Sequence, residues 1–459
     1  TVQIENDFSK GSITKNIMSL AFPMILAQLV NVLYSIVDRI YIARMPGDSF
    51  LALTGIGICL PIISMVMAFA NLFGVGGAPL CSIERGRQNI DEAEKIMGNA
   101  FVMLVFSGTI LTIIGLLIKK PVLYLFGASE QTYPYANEYI TIYLLGSVFV
   151  MISLGMNPFI NSQGFGRIGM MTVVLGALAN IILDPIFIFR LKMGVRGAAI
   201  TTVISQALSA CWVLRFLTGQ KAILKLKKES FHLQLKRVKR IIALGTSGFV
   251  MSFTNSIVQV ISNTTLQLYG GDLYIGIMTV INSVREFITM PVSGLTNGAQ
   301  PVIGYNYGAR KYDRVKRSII FTAVASISYN TVSWLLIQFF PEFFIRIFNK
   351  DLMVIETGIP MMRIYYAFFF LMALQFTGQT TFIALGKAKH AVFFSTFRKV
   401  ILVTPLVILL PRLFGLGSKG VFLAEAISQF VGASACFITM IFTVRKEIQK
   451  ELNKELSTS

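Results

Sequence analysis

Apolar runs of about 20 residues, each long enough to cross a hydrocarbon core about 30 Å thick, recur along the whole 459-residue chain. No other feature narrows the fold so far. A backbone inside lipid must satisfy its own polar groups, so runs of this kind form helices. The sequence places twelve of them, at residues 17–43, 51–80, 96–118, 135–160, 168–189 and 197–217, then 240–269, 273–300, 317–340, 358–384, 391–413 and 420–443. Only 14% of the residues are charged, against about 25% in soluble domains. The expected fold class is an all-α polytopic membrane protein held in the lipid bilayer, with no separate soluble domain.

The net charge of +19 suggests nucleic acid as a partner, but its distribution argues against one. With the N-terminus inside, 26 of the 41 Lys and Arg lie in or beside cytoplasmic segments, 11 in or beside external ones and 4 within spans. That asymmetry is the positive-inside rule. It predicts a multi-pass protein of the cytoplasmic (plasma) membrane with both termini in the cytoplasm and no bound nucleic acid. The densest basic block, residues 221–240, is expected to face anionic lipid. Cys59, Cys81, Cys211 and Cys436 lie in or at the ends of apolar runs without CxxC spacing, as small hydrophobes rather than a disulfide framework or a metal site. The chain is polar through Asn16 and then enters a span without a small-residue cleavage pattern, so no removable signal peptide is expected.

The two sets of six spans are related. Gly77-Ala78-Pro79 with Gly86 and Asp91 recurs as Gly298-Ala299-Gln300-Pro301 with Gly308 and Asp313. Gly197 with Ile204-Ser205-Gln206 recurs as Gly420 with Ile427-Ser428-Gln429, Gly166-Arg167 as Gly386-Lys387, and Asp184-Pro185 aligns with Thr404-Pro405. All offsets are 220 to 223. The reading is an N-lobe (1–218), a basic cytoplasmic linker (219–239) and a C-lobe (240–459), two parallel six-helix repeats around a central cavity. Parallel repeats suit rocking of two rigid bodies, with the cavity opening alternately to each side.

Ionisable groups inside a membrane span are costly and by default mark a site. The first span carries a proline, Pro23, and a polar stripe of Gln28, Asn31, Tyr34 with Ser35, and Asp38 along one helical face. At 1.5 Å per residue, Asp38 lies ~31 Å along the first span, and Asp184 ~24 Å along the fifth. Thr201 and Thr202 lie ~6–8 Å below the outer surface on the sixth, and Tyr139 enters the fourth at a similar depth. Four helices thus bring these groups to the outer half of the N-lobe. Asn180 and Asp184 share a helix face, and Pro185 deprives the Ile181 carbonyl of its helical partner. A freed carbonyl, an amide and a carboxylate on one face suit a hard cation, which prefers oxygen ligands. They equally suit a proton relay. Structural alternatives are an external cap at Asp38-Arg39 and helix termination at Asp184-Pro185.

The C-lobe lacks the acid pair: Asp38 aligns with Val260 and Asp184 with Thr404. It has Arg285-Glu286, Arg398-Lys399 and Glu425 within its spans. A structural Glu286–Arg398 ion pair is expected, with substrate recognition by these groups as the alternative. Twenty Met and 37 Phe suit an adaptable cavity, although in membrane helices they also face lipid or pack. Gln28, Asn31, Asn157, Gln206 and Glu286 are candidate cavity residues; the polar ones can instead serve as interhelical glue.

Pro23 fifteen residues before Asp38, Asn180-x-x-x-Asp184-Pro185, Gly197 leading to Thr202, and the segment Gln300-Pro301-x-x-Gly304-Tyr305-Asn306-Tyr307-Gly308-Ala309 resemble the multidrug and toxic compound extrusion (MATE) family, over essentially the whole chain. The acid pair resembles its prokaryotic DinF-like branch. The resemblance implies an antiporter in which H⁺ or Na⁺ enters while an amphipathic, often cationic, organic compound leaves. It implies a coupling network of Pro23, Tyr34, Asp38, Tyr139, Asn180, Asp184 and Thr202, with the first helix bending at Pro23. No acid falls within 240–269, where another branch carries one, so a C-lobe cation site of that type is not expected. The chain is expected to act as a monomer, without a cofactor beyond the coupling ion.

Other classes fit less well. Flipping of a lipid or lipid-linked precursor favours a strongly cationic cavity. An intramembrane two-Asp protease needs a GxGD context that is absent, and His232 and His390, the two histidines, fall in cytoplasmic segments. A non-transporting scaffold leaves buried acids in duplicated lobes without a use. The protein is not expected to be an enzyme.

Overall fold

The computed structural model describes residues 7–45 and 49–458. Among them every regular element is helical. The first half holds α1 (Ile13–Ala43), α2 (Ser49–Gly86), α3 (Ile90–Leu125), α4 (Tyr133–Leu145), α5 (Ser147–Ser162), α6 (Gly166–Pro185) and α7 (Gly194–Leu217). The second holds α8 (Leu235–Gly308), α9 (Tyr312–Phe339), α10 (Pro341–Phe348), α11 (Leu352–Tyr365), α12 (Met372–Ala384), α13 (Ala388–Thr396), α14 (Thr404–Leu409) and α15 (Ser418–Thr458). Nine helical stretches among the described residues are long and apolar enough to cross a membrane, and two bent pairs, α4 with α5 and α11 with α12, make one span each. The 74-residue α8 would be ~111 Å long if straight, far more than one crossing. It reverses at Gly271, whose φ of 67° and ψ of −162° are open to glycine, so it supplies two spans and brings the number to twelve. Large apolar side chains such as Leu117, Leu268 and Phe339 lie exposed along these helices, as a surface solvated by lipid requires.

The bends have local causes. α4 and α5 meet at 56° around Gly146, where a Cβ would lie 2.5 Å from the Val203 side chain. The α-helical turns of α6 stop at Asp184-Pro185, but the span does not. Beyond Pro185 the chain widens into a π-turn over Ile186–Arg190, closed by the Leu191 N–H donating to the Ile186 carbonyl at 2.8 Å. A similar turn, Phe397–Val403, precedes Thr404-Pro405. Proline removes an i→i−4 donor, and a wide turn re-partners the backbone around it.

The chain divides into two compact units. The first comprises Thr1–Lys10 and Ser19–Gly245, the second Gly11–Met18 and Thr246–Ser459. In the first, α2 crosses the start of α8 with backbones in contact, at Gly76 and Gly245. The basic segment between α7 and α8 is not simply a face toward lipid. Polar side chains of the first unit hold its backbone. Gln163 accepts from the Leu224 N–H at 2.8 Å and Glu94 from the Lys225 N–H at 2.9 Å. Asn99 donates to the Ser230 and His232 carbonyls and accepts from the Gln234 N–H. Arg237 forms a two-pronged pair with Glu92 at 2.9 and 2.7 Å.

The second unit is centred on buried aromatic residues: Tyr365, Tyr366, Phe369 and Phe422 are each at most 1% exposed. The Tyr366 hydroxyl donates to the Ile281 carbonyl at 2.9 Å, satisfying the phenol inside an apolar core. The expected Glu286–Arg398 ion pair does not form. Arg398 pairs with Glu425 at 3.3 Å, and Glu286 is exposed. Neighbouring residues on a helix point about 100° apart, and at this pair Arg285 takes the inward direction, reaching the Tyr365 hydroxyl at 2.9 Å.

Candidate functional site

The first unit contains a cavity of about 220 Å³ between α1, α5, α6 and α7. Four of the sequence candidates for cavity residues, Gln28, Asn31, Asn157 and Gln206, line it. The fifth, Glu286, belongs to the other unit. Two of the lining amides are held in place. The Asn157 amide donates to the Gly169 carbonyl at 3.2 Å and accepts from Thr172 at 3.0 Å, and the Gln206 carbonyl oxygen accepts from Ser153 at 2.6 Å. They therefore serve as interhelical contacts and as cavity wall together. Asn31 lies toward the exposed side of α1, and its carbonyl accepts from Ser35 at 2.9 Å.

Tyr34, Asn180 and Thr202 line the same cavity. Asn180 is 1% exposed, and neither its amide nitrogen nor its carbonyl oxygen has a protein partner among the described residues. Buried polar groups are nearly always paired, so an unpaired amide in a cavity wall is a position for a polar guest.

One turn further along α6, Asp184 is fully buried. One carboxylate oxygen accepts a short hydrogen bond from Thr201, and the other has no protein partner among the described residues. Asp38 comes from α1 to adjoin it, carboxyl against carboxyl. Asp38 lies five residues inside α1, so it does not cap that helix, and Asp184 stands where α6 passes into the wide turn, within the span rather than at its end. The tyrosine hydroxyls of Tyr34 and Tyr139 face Thr202, whose own hydroxyl donates to the Ala198 carbonyl at 2.9 Å. The Tyr139 ring stacks on Tyr143 at 6.3 Å. Pro23 is buried within a helix assigned without interruption from Ile13 to Ala43.

The structure thus gathers Tyr34, Asp38, Tyr139, Asn180, Asp184 and Thr202 in one part of the first unit. One neighbour read from the sequence at this depth takes a different part from Thr202, and one falls outside the sequence candidates. Thr201, at the depth of Thr202, is the residue that donates to Asp184; Tyr143, four residues after Tyr139 and so on the same face, extends the aromatic wall. The site offers two carboxylates and otherwise neutral oxygens. Among the described residues no group of three His, Cys, Asp or Glu forms a transition-metal centre.

A family model described as MatE matches residues 23–186 and, a second time, residues 248–409. The chain belongs to the MatE family. The double match follows the internal repeat, one copy in each half. Among curated MatE-like relatives, the multidrug export protein MepA of Staphylococcus haemolyticus (strain JCSC1435) is 24% identical over 445 residues, covering 96% of this chain and 97% of that protein. MepA of Staphylococcus aureus (strain N315) is 24% identical over 442 residues, covering 96% of each. Among solved structures, a MATE in the bent conformation superposes with a TM-score of 0.91 at 21% identity, covering 98% of this chain and 99% of that one. An outward-facing multidrug resistance MATE transporter of the MOP superfamily superposes with a TM-score of 0.89 at 21% identity, covering 97% and 98%. At these identities the structural likeness concerns the fold.

Proposed function

We propose that this MatE protein is a secondary active antiporter of the cytoplasmic membrane. It exports amphipathic, often cationic organic compounds in exchange for H⁺ or Na⁺, by alternating access of its two repeats. It works as a monomer with both termini in the cytoplasm. The observation that carries the reading is the contact between the Asp38 and Asp184 carboxyls beside a polar cavity. Two carboxyls in contact at membrane depth hold together only with a proton or a cation between them. Entry of that charge from outside and its departure to the cytoplasm change the polarity of the cavity wall at Tyr34, Asn180 and Thr202, which is a means of coupling to a cationic guest. For Na⁺, the open oxygens of Asp184 and Asn180 supply hard ligands. For H⁺, the carboxyl pair suffices. The names of the curated relatives, multidrug export proteins, favour the same class of cargo.

The test is ethidium transport in proteoliposomes under an imposed pH or Na⁺ gradient. Wild type is expected to transport under one of the two gradients, which identifies the ion. Asp38→Asn and Asp184→Asn are expected to lose at least nine-tenths of the gradient-driven rate while remaining folded. Normal transport in both variants would remove the acid pair from coupling. No ethidium movement by wild type under either gradient would remove organic-cation antiport.

A further inference from the structure

The second unit carries a polar centre of opposite sign. Glu425 of α15 accepts from Lys399 at 2.8 Å on one oxygen and pairs with Arg398 at 3.3 Å on the other. Arg398 also donates to the Ser428 hydroxyl at 3.4 Å. Arg285 of α8 stands in the field of the same carboxylate but donates to a neutral group, the Tyr365 hydroxyl, at 2.9 Å. The side chains of Lys399, Glu425 and Arg398 are 6%, 8% and 12% exposed. Three cations therefore share one carboxylate at membrane depth. Intramembrane charges pair with one another or line a pathway; this group pairs incompletely, and the surplus is positive.

The register of the repeat gives the surplus a meaning. The offset of 223 that takes Ser205-Gln206 to Ser428-Gln429 takes Thr202 to Glu425, and the offset of 220 that takes Asp184-Pro185 to Thr404-Pro405 takes Asn180 to Val400, next to Lys399. The cationic group thus lies in the second unit beside the positions that Asn180 and Thr202 of the cavity wall occupy in the first, about one helical turn from the position of Asp184. Arg398 and Lys399 lie in the wide turn Phe397–Val403, and such turns are frequent at functional sites.

We infer that the second unit holds an anion site in which Arg285, Arg398 and Lys399, arranged around Glu425, take a compact oxyanion, the carboxylate or phosphate-type group of an amphipathic molecule. Guanidinium groups present paired donors that match two oxygens of one anion, and the ammonium adds a point charge. Glu425 is the internal anion that holds the cations together when the guest is away, so it competes with the guest. The site stands whether or not Asp38 and Asp184 couple transport to an ion gradient.

Equilibrium binding to the purified full chain in detergent tests it without a gradient. The probes are fluorescein, followed by anisotropy, and farnesyl diphosphate as competitor; which of them binds more tightly distinguishes a carboxylate-bearing organic anion from a lipid-type diphosphate. Saturable binding is expected, weakened at least tenfold in Arg285→Gln and in Arg398→Gln. Glu425→Gln removes the competing carboxylate and is expected to tighten binding at least threefold, a gain that misfolding does not produce. Absence of saturable binding of both probes to wild type would overturn the site. So would equal affinity in wild type, both arginine variants and Glu425→Gln.

Discussion

Asn180 and Thr201 separate two kinds of contribution within one site. Asn180 makes no hydrogen bond to the protein among the described residues although it is buried, so replacing it by leucine breaks no protein contact. Asn180→Leu is expected to leave stability within about 1 kcal/mol of wild type or raise it, since an unpaired buried polar group is itself a cost. Transport is expected to fall at least tenfold. Thr201→Val instead strips Asp184 of its hydroxyl donor and is expected to cost about 1–3 kcal/mol as well as transport. Thermal melting in detergent beside ethidium flux distinguishes the two; equal melting losses in both variants would refute the assignment. Spacing made Asn180 and Asp184 legible in the sequence, because residues four apart share a helical face whatever surrounds it. The choice between Thr201 and Thr202, or between Arg285 and Glu286, was not legible. Adjacent residues differ by about 100° around the axis, and only the packed rotation of the helix decides which one looks inward.

At the scale of elements, the number and order of the spans follow from hydropathy, whereas their joins and crossings do not. Residues 240–269 and 273–300 read as two spans, yet the chain between them stays helical up to a reversal at one glycine. The bend of α4 into α5 is set by Val203 seated against Gly146, a partner that hydropathy does not reveal. Gly76 and Gly245 show the same limit: both look like ordinary glycines of apolar runs. At their crossing, a Cβ on Gly245 would lie 1.8 Å from the Leu72 carbonyl oxygen, and one on Gly76 2.2 Å from that of Ile241. Small residues let membrane helices approach to backbone contact. Gly245→Val is therefore expected to destabilise the protein by about 3 kcal/mol through overpacking. Gly248→Ala, three residues on, is expected to be neutral or stabilising by up to about 1 kcal/mol, since a Cβ there meets nothing within 4 Å. Melting of the two variants in parallel checks the contrast, and similar values for both would show that the crossing is not tight.

At the scale of the whole chain, the repeat supplies two copies of one architecture, and substitutions since then have given the copies opposite polar centres: carboxyls in the first unit, cations around Glu425 in the second. The segment joining the two six-span halves has ties that charge alone does not reveal. Its basic residues suggest an attachment to anionic lipid, yet its backbone is read by uncharged amides as well as by carboxylates. Asn99 satisfies the Ser230 and His232 carbonyls and the Gln234 N–H at 3.2, 3.0 and 2.9 Å, and Gln163 and Glu94 fix Leu224 and Lys225. Salt screens the Arg237–Glu92 pair but leaves the Asn99 bonds largely intact, because an amide carries no net charge. The strap is thus expected to stay closed at high ionic strength. Residues 221–240 contain several Lys and Arg, so trypsin reports on its opening directly. In wild type, cleavage within 221–240 is expected to be slow both at low salt and in 0.5 M NaCl (~4 Å screening length,). Asn99→Leu leaves three backbone groups without their partner and is expected to speed cleavage there at least tenfold, with Glu92→Gln showing a smaller, salt-sensitive increase. Rapid cleavage of wild type in high salt would mean that the ion pairs, not Asn99, close the strap; unchanged protection in Asn99→Leu would mean that the segment is held by its apolar contacts, such as Phe231 against Phe101 at 5.4 Å.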